Sequence, residues 1–143
     1  MKFHNIYTPW GQADQVVNIS PDQQIIRVST PGHGGFGVSK QLDMPSHLAS
    51  AACSGSDRDW RWFEEDEAWA CVVLAFPQHF KEPHFKPEIH EVARNTVLNY
   101  YPEIYEKEFG HKPTALESRK VRELTLEIDP FPRSANPFAL GVG

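Results

Sequence analysis

The sequence predicts an α+β fold: a small antiparallel sheet covered on one face by two main helices. Three observations predict it. The chain has 143 residues, the size of one domain able to bury a core without staples. Its first third holds short β-branched segments broken by turn clusters, and its middle holds apolar residues at helical spacing, closed off by Pro and Gly. The 12 prolines imply short elements and many breaks.

The strand segments come first. Residues 15–19 and 24–29 are rich in Val and Ile and are separated by Ser20, Pro21 and Asp22, a turn cluster; residues 36–39 follow a glycine-rich turn. Together they predict a three-stranded antiparallel sheet. Residues 43–50 read as one or two helical turns, with Asp43 as N-cap and Pro45 in the first turn.

In residues 60–76 four consecutive acids, Glu64, Glu65, Asp66 and Glu67, precede a run in which Trp69, Val72, Val73 and Phe76 share one helical face. The acids suit the positive end of a helix dipole, so a helix is expected from about Asp66 to Phe76, stopped by Pro77. A buried strand is the alternative for residues 68–76.

A second helix is expected over residues 87–100, its apolar face built from Ile89, Val92, Ala93, Thr96, Val97 and Tyr100. A shorter helix over residues 103–109 begins after Pro102 and ends at Gly110. Residues 114–123 suggest another helix. Residues 124–128 alternate as a strand and would extend the sheet, and residues 130–143 read as an extended Pro-bearing tail.

Charge and cysteine usage narrow the function. Fourteen basic against 19 acidic residues give a net charge of −5, which disfavours direct nucleic-acid binding, because contact with phosphates needs clustered Lys and Arg. Cys53 and Cys71 form no CxxC pair and read as reduced thiols. The longest apolar run, residues 68–76, is about half a membrane span, so the expectation is a cytosolic protein with no membrane partner.

Four groups of residues bear chemistry. His33 lies between Gly32 and Gly34 in a turn whose amides suit an anion and whose imidazole suits acid, base or ligand duty, although neither a P-loop nor a dinucleotide fingerprint is present. A plain hairpin turn accounts for the same residues. Glu64, Glu65, Asp66 and Glu67 are flanked by Trp60, Trp62, Phe63 and Trp69, aromatics able to desolvate a carboxylate; acids at a helix start need no such role. His79, His84 and His90 lack metal-ligand spacing. Ser29, Cys53 and Cys71 lack the surroundings of a nucleophile, with no GxSxG motif at the serine. Neither a metal nor a cofactor is expected.

The blocks Val28-Ser-Thr-Pro-Gly-His-Gly-Gly35, Trp62-Phe-Glu-Glu-Asp66 with Trp69-Ala70 and Ala75-Phe-Pro77, and Tyr100-Tyr-Pro-Glu-Ile-Tyr105 follow one another between residues 28 and 110. In this order they resemble an uncharacterised small domain of phage, prophage and plasmid proteins. The resemblance implies a non-enzymatic binding protein of a mobile element, counteracting host defence by binding a host protein or a small nucleotide-like messenger in the host cytosol. In that reading Trp60, Trp62 and Phe63 are apolar anchors, Glu64, Glu65 and Asp66 supply steering charge, and His33, Gly34 and Gly35 form the contact loop. The alternative is a metal-assisted hydrolase or nucleotide-processing enzyme using His33 with Glu64, Glu65 or Asp66. Both readings need the His33 loop and the acidic segment to meet.

Overall fold

The structure, a computed structural model, describes residues 6–54 and 57–128. Its contacts divide the chain into two compact units, Met1–Ala93 and Arg94–Gly143. The α+β class holds.

The first unit is built on a four-stranded antiparallel meander, in the order β3 (Gln15–Asn18), β4 (Ile25–Ser29), β5 (Gly34–Ser39) and β6 (Trp60–Glu64). A two-stranded hairpin, β1 (Tyr7–Thr8) and β2 (Gly11–Gln12), precedes it. Register follows from the ladder. Ser29 pairs with Gly34, Arg27 with Phe36 and Ile25 with Val38, so the turn between β4 and β5 falls where the Pro-Gly-His sequence puts it. The first three strands are those expected. The fourth is not residues 124–128 but Trp60–Glu64, which pairs with β5 from Gly35↔Glu64 to Ser39↔Trp60.

Alternation along the strands sorts side chains onto two faces. One face carries Ile26 and Val28, joined by Trp62 into a cluster closed over by Ile6, Trp10, Ala13, Val16, Cys53 and Trp60. Gly35 and Gly37 lie on this face, where tryptophan rings come close to the backbone. A Cβ on Gly35 would stand 2.2 Å from Phe63 O and 2.7 Å from Trp10 Cη2, and one on Gly37 would stand 2.7 Å from Trp62 Cζ3. Trp10 and Trp62 meet edge to face, with centroids 6.2 Å apart. Much of the glycine-rich block is therefore a bed for tryptophans.

The other face carries Ile25, Phe36, Val38 and Phe63, all buried. It is covered by α2 (Trp69–Ala75), which packs on β5 and β6 and on the short α1 (Ser46–Ala49). Phe80 adds an edge-to-face contact with Phe36 at 5.4 Å. In α1, Pro45 stands at the N-cap with no side-chain cap bond, and its carbonyl accepts from Leu48 N and Ala49 N; the expected Asp43 cap does not form.

The expected helix near the acids starts later. Glu64 ends β6, and its carboxylate turns back on the chain to accept from the amides of Asp66 (2.6 Å), Glu67 (2.9 Å) and Ala68 (2.7 Å). A strand of alternating aromatics thus passes through one carboxylate-capped turn into α2.

Helix α3 (Ile89–Tyr100) contains the boundary between the units. Of its expected apolar face, Ala93 and Val97 are buried, while Val92 is exposed. In the second unit α4 (Pro102–Phe109) ends as expected on Gly110, whose φ of 72° is the left-handed cap conformation. Arg94 holds its guanidinium 4.7 Å from the Phe109 ring centroid and donates to the Tyr105 hydroxyl at 3.2 Å. Residues 119–128 form α5 (Arg119–Ile128), so the expected strand at 124–128 is helical instead. Residues 129–143, with the expected tail, lie outside the described residues.

Candidate functional site

The β4–β5 turn is tied shut by Thr30. Its amide and hydroxyl both donate to His33 O, at 2.7 and 2.9 Å, and its hydroxyl accepts from His33 N at 3.1 Å. These bonds use the His33 amide and leave the imidazole exposed, with no hydrogen bond among the described residues. The hairpin accounts for the loop's backbone without a ligand.

The ladder then brings the loop to the acids. Glu65 N donates to Gly34 O at 3.0 Å, one pairing step beyond β6. The Glu65 carboxylate folds over Gly34, its Oε2 3.0 Å from where a Cβ would stand, so a side chain at residue 34 would push the carboxylate away. Gly34 and Glu65 are therefore neighbours. Glu64 is not available in the same way, because its carboxylate is spent on the three amides of its own turn. Asp66 is exposed.

The aromatic anchors need correction. Trp62 is 1% and Phe63 0% exposed, because β6, although an edge strand of the sheet, is covered on both faces, Trp62 within the cluster of Ile26 and Val28 and Phe63 on the face under α2; neither has area to offer a partner. Trp60 is half-buried and packs against that same core.

What the fold builds beside the loop is a groove of about 360 Å³ on the α2 side of the sheet. Its floor is β4 and β5, including Phe36. Gln15 and Val17 of β3 form one wall, Glu65 and Trp69 the other. Arg27 and Ser29 project into it from β4, on the same face as Phe36 by register. The Arg27 guanidinium sits 5.9 Å from the Phe85 ring centroid, a contact that holds an otherwise exposed side chain in place. Among the described residues neither Arg27 nor Glu65 has an ion-pair partner. One cation and one anion thus face a single groove, neither ion-paired among the described residues.

Of these lining residues, sequence reasoning singled out Gly34, Gly35 and Glu65, and considered Ser29 only as a nucleophile. It considered Trp69 only as an aromatic beside the acids, and it passed over Gln15, Val17, Arg27 and Phe36. A signal existed for Arg27: a charge between Ile26 and Val28 in a β-branched segment must project from the face opposite theirs.

The remaining candidates fall away on geometry. The Ser29 hydroxyl faces the Gln15 amide oxygen at 3.5 Å, and an amide is no base. Burial pushes the Cys53 thiol pKa up and the Glu64 charge adds to it, so the sulfur stays protonated. His90 Nε2 donates to Phe80 O at 2.7 Å, a structural bond. No group of three or more His, Cys, Asp or Glu able to hold a metal ion is present among the described residues. No described helix is long and apolar enough to cross a membrane. A second cavity, of about 330 Å³, lies at the other end of the sheet and is walled by Asp22, Lys40, Asp59 and Trp60.

The family described as a domain of unknown function, DUF7007, matches residues 4–129, which include every residue of the groove. No curated protein and no solved structure is detectably similar to the chain.

Proposed function

We propose that this chain, which belongs to the DUF7007 family of domains of unknown function, is a binding module that seats a small ligand in the groove beside the β4–β5 turn. One observation carries this reading: the groove has Phe36 in its floor and Trp69 in its wall, and Arg27 and Glu65 line it with no ion-pair partner among the described residues. Binding sites share that composition, a mainly apolar concavity with a few placed polar groups. Catalysis has less support, since Ser29 has an amide for a neighbour and Glu64 caps a turn.

Of the two partners implied by the sequence blocks, the small messenger is favoured over the host protein. Trp62 and Phe63 are core residues, which removes two of the three aromatic anchors from a protein interface, whereas the groove retains Gly34, Gly35 and Glu65 from the predicted site. The resemblance to a domain of phage, prophage and plasmid proteins supports capture of a host signalling molecule as the purpose, carried out in the host cytosol to blunt a defence response.

The test is native mass spectrometry of the purified protein after incubation with a bacterial small-molecule extract. A retained ligand is expected. It should be lost from Val17→Trp, which fills the groove from an edge strand that tolerates a large β-forming side chain. No retained molecule, or one held equally by Val17→Trp, refutes the reading.

A further inference from the structure

We infer that the ligand is a guanosine phosphate, with its base toward Glu65 and its phosphate toward Arg27; this rests on the groove being the binding site. The argument starts from what each end of the groove requires. An ionised carboxylate only accepts hydrogen bonds, so the group against Glu65 must present donors, and paired N–H donors match its two oxygens. Among the nucleobases guanine alone offers two adjacent donors, N1–H and the N2 amino group, to the two oxygens of one carboxylate. Adenine presents an acceptor beside its amino group, and uracil a single N–H. At the other end the Arg27 guanidinium, braced on the Phe85 ring, presents a planar fork of donors that matches phosphate oxygens. The Ser29 hydroxyl lies on the same strand and face, one side chain nearer to Glu65.

Spacing and volume agree. Ser29 pairs with Gly34, and Gly34 with Glu65 through its carbonyl. From Arg27 to Glu65 is therefore two residues along the sheet and two strands across, a Cα separation of about 12 Å. Groups of opposite charge call for a ligand with an anionic end and a donor-bearing end, and a nucleoside monophosphate has both in its phosphate and its base edge. Trp69 and Phe36 line the groove with aromatic side chains, the chemistry on which a flat base stacks. A cavity of about 360 Å³ lies near the lower limit of ligand pockets, which suits a mononucleotide rather than a dinucleotide. The net charge of −5 opposes a polynucleotide chain.

Calorimetric titration of the full chain with GMP, AMP and guanosine tests the inference. GMP should bind, with AMP and guanosine each weaker by about tenfold or more. Glu65→Gln should bring GMP down to the level of AMP, and Arg27→Ala should bring it down to the level of guanosine. Both side chains are exposed, so Glu65→Gln should keep the wild-type melting temperature and Arg27→Ala should lower it by no more than the loss of its one contact with the Phe85 ring. Equal binding of GMP and AMP, or a GMP affinity unmoved by Glu65→Gln, overturns the guanine assignment. GMP and guanosine binding alike overturns the phosphate contact. If no nucleotide binds while the bacterial extract still yields a ligand lost in Val17→Trp, the guanosine assignment fails and the binding module stands.

Discussion

At the scale of single residues, two glycines of one block have opposite physical reasons. Gly35 admits no side chain: a methyl group there would overlap Phe63 O at 2.2 Å and the Trp10 ring at 2.7 Å, and the first obstacle is backbone that cannot swing aside. Gly32, in the exposed turn, has nothing within 4 Å of the same position, and its backbone does not require glycine. Gly35→Ala should therefore destabilise the fold by about 3 kcal/mol, the scale of overpacking a close-packed site. Gly32→Ala should leave stability within about 0.5 kcal/mol of wild type. Urea denaturation followed by tryptophan emission measures both, since Trp10, Trp60, Trp62 and Trp69 all lie in the first unit. If the two variants melt alike, the glycines serve the turn and not the tryptophan bed.

At the scale of elements, β6 depends on one carboxylate at its start. Burial opposes ionisation of Asp57, but bonds from Trp60 N at 2.6 Å, Trp62 Nε1 at 3.2 Å and Asp59 N at 2.8 Å outweigh it and hold the carboxyl below the usual range. A carboxyl whose pKa is lowered by folding adds stability in full above its unfolded value, about 3.9, and loses it progressively as pH falls below that value and through the lower folded-state pKa. The wild type should therefore lose stability between about pH 5 and pH 3, and Asp57→Asn should lose less over the same range, as urea midpoints at the two ends will show. Some acid dependence should persist, because the Ser20 hydroxyl lowers Asp22 in the same way. This strand was the element hardest to read from sequence. Trp60, Trp62 and Glu64 alternate with Arg61 and Phe63, a strand pattern, yet the four acids from Glu64 to Glu67 look like a helix start, so the segment was read for the helix over residues 66–76 and residues 60–64 were assigned no strand. What separates the two elements is the Glu64 cap, a side-chain choice that composition does not show. Strands β3 to β5, α3 and the Gly110 cap were legible because each rests on local periodicity or a single backbone requirement. Residues 124–128 were misread because Leu, Thr, Leu, Glu and Ile satisfy a period of two over so short a stretch, while the helix begins five residues earlier, at Arg119. Of the site, the meeting of Gly34 with Glu65 was legible as a demand, but Arg27 and Trp69 join it only through strand register and the packing of α2.

At the scale of the whole molecule, the first unit assigns its two requirements to different faces of one sheet. The face under Trp10 and Trp62 is closed and apolar, whereas the face under α2 is covered only in part and leaves the groove. Ile26 and Arg27 are adjacent in the chain and belong to opposite faces, Ile26 at 0% exposure and Arg27 exposed. Removing the Ile26 side chain opens a cavity in a close-packed cluster that the ring of Trp62 cannot move to fill, so Ile26→Ala should cost about 2–5 kcal/mol. Arg27→Ala gives up one exposed cation–π contact, worth about 0.5–1 kcal/mol at most. For the retained ligand the order reverses: Arg27→Ala should weaken it by about tenfold, while Ile26→Ala, measured where it is still folded, should leave affinity unchanged. Because the two side chains share no partner across the sheet, their stability effects should add to within about 0.5 kcal/mol in the double variant. A larger coupling, or a loss of ligand on Ile26→Ala, would mean that the groove is shaped by the tryptophan-covered face, and that stability and binding in this fold cannot be altered independently.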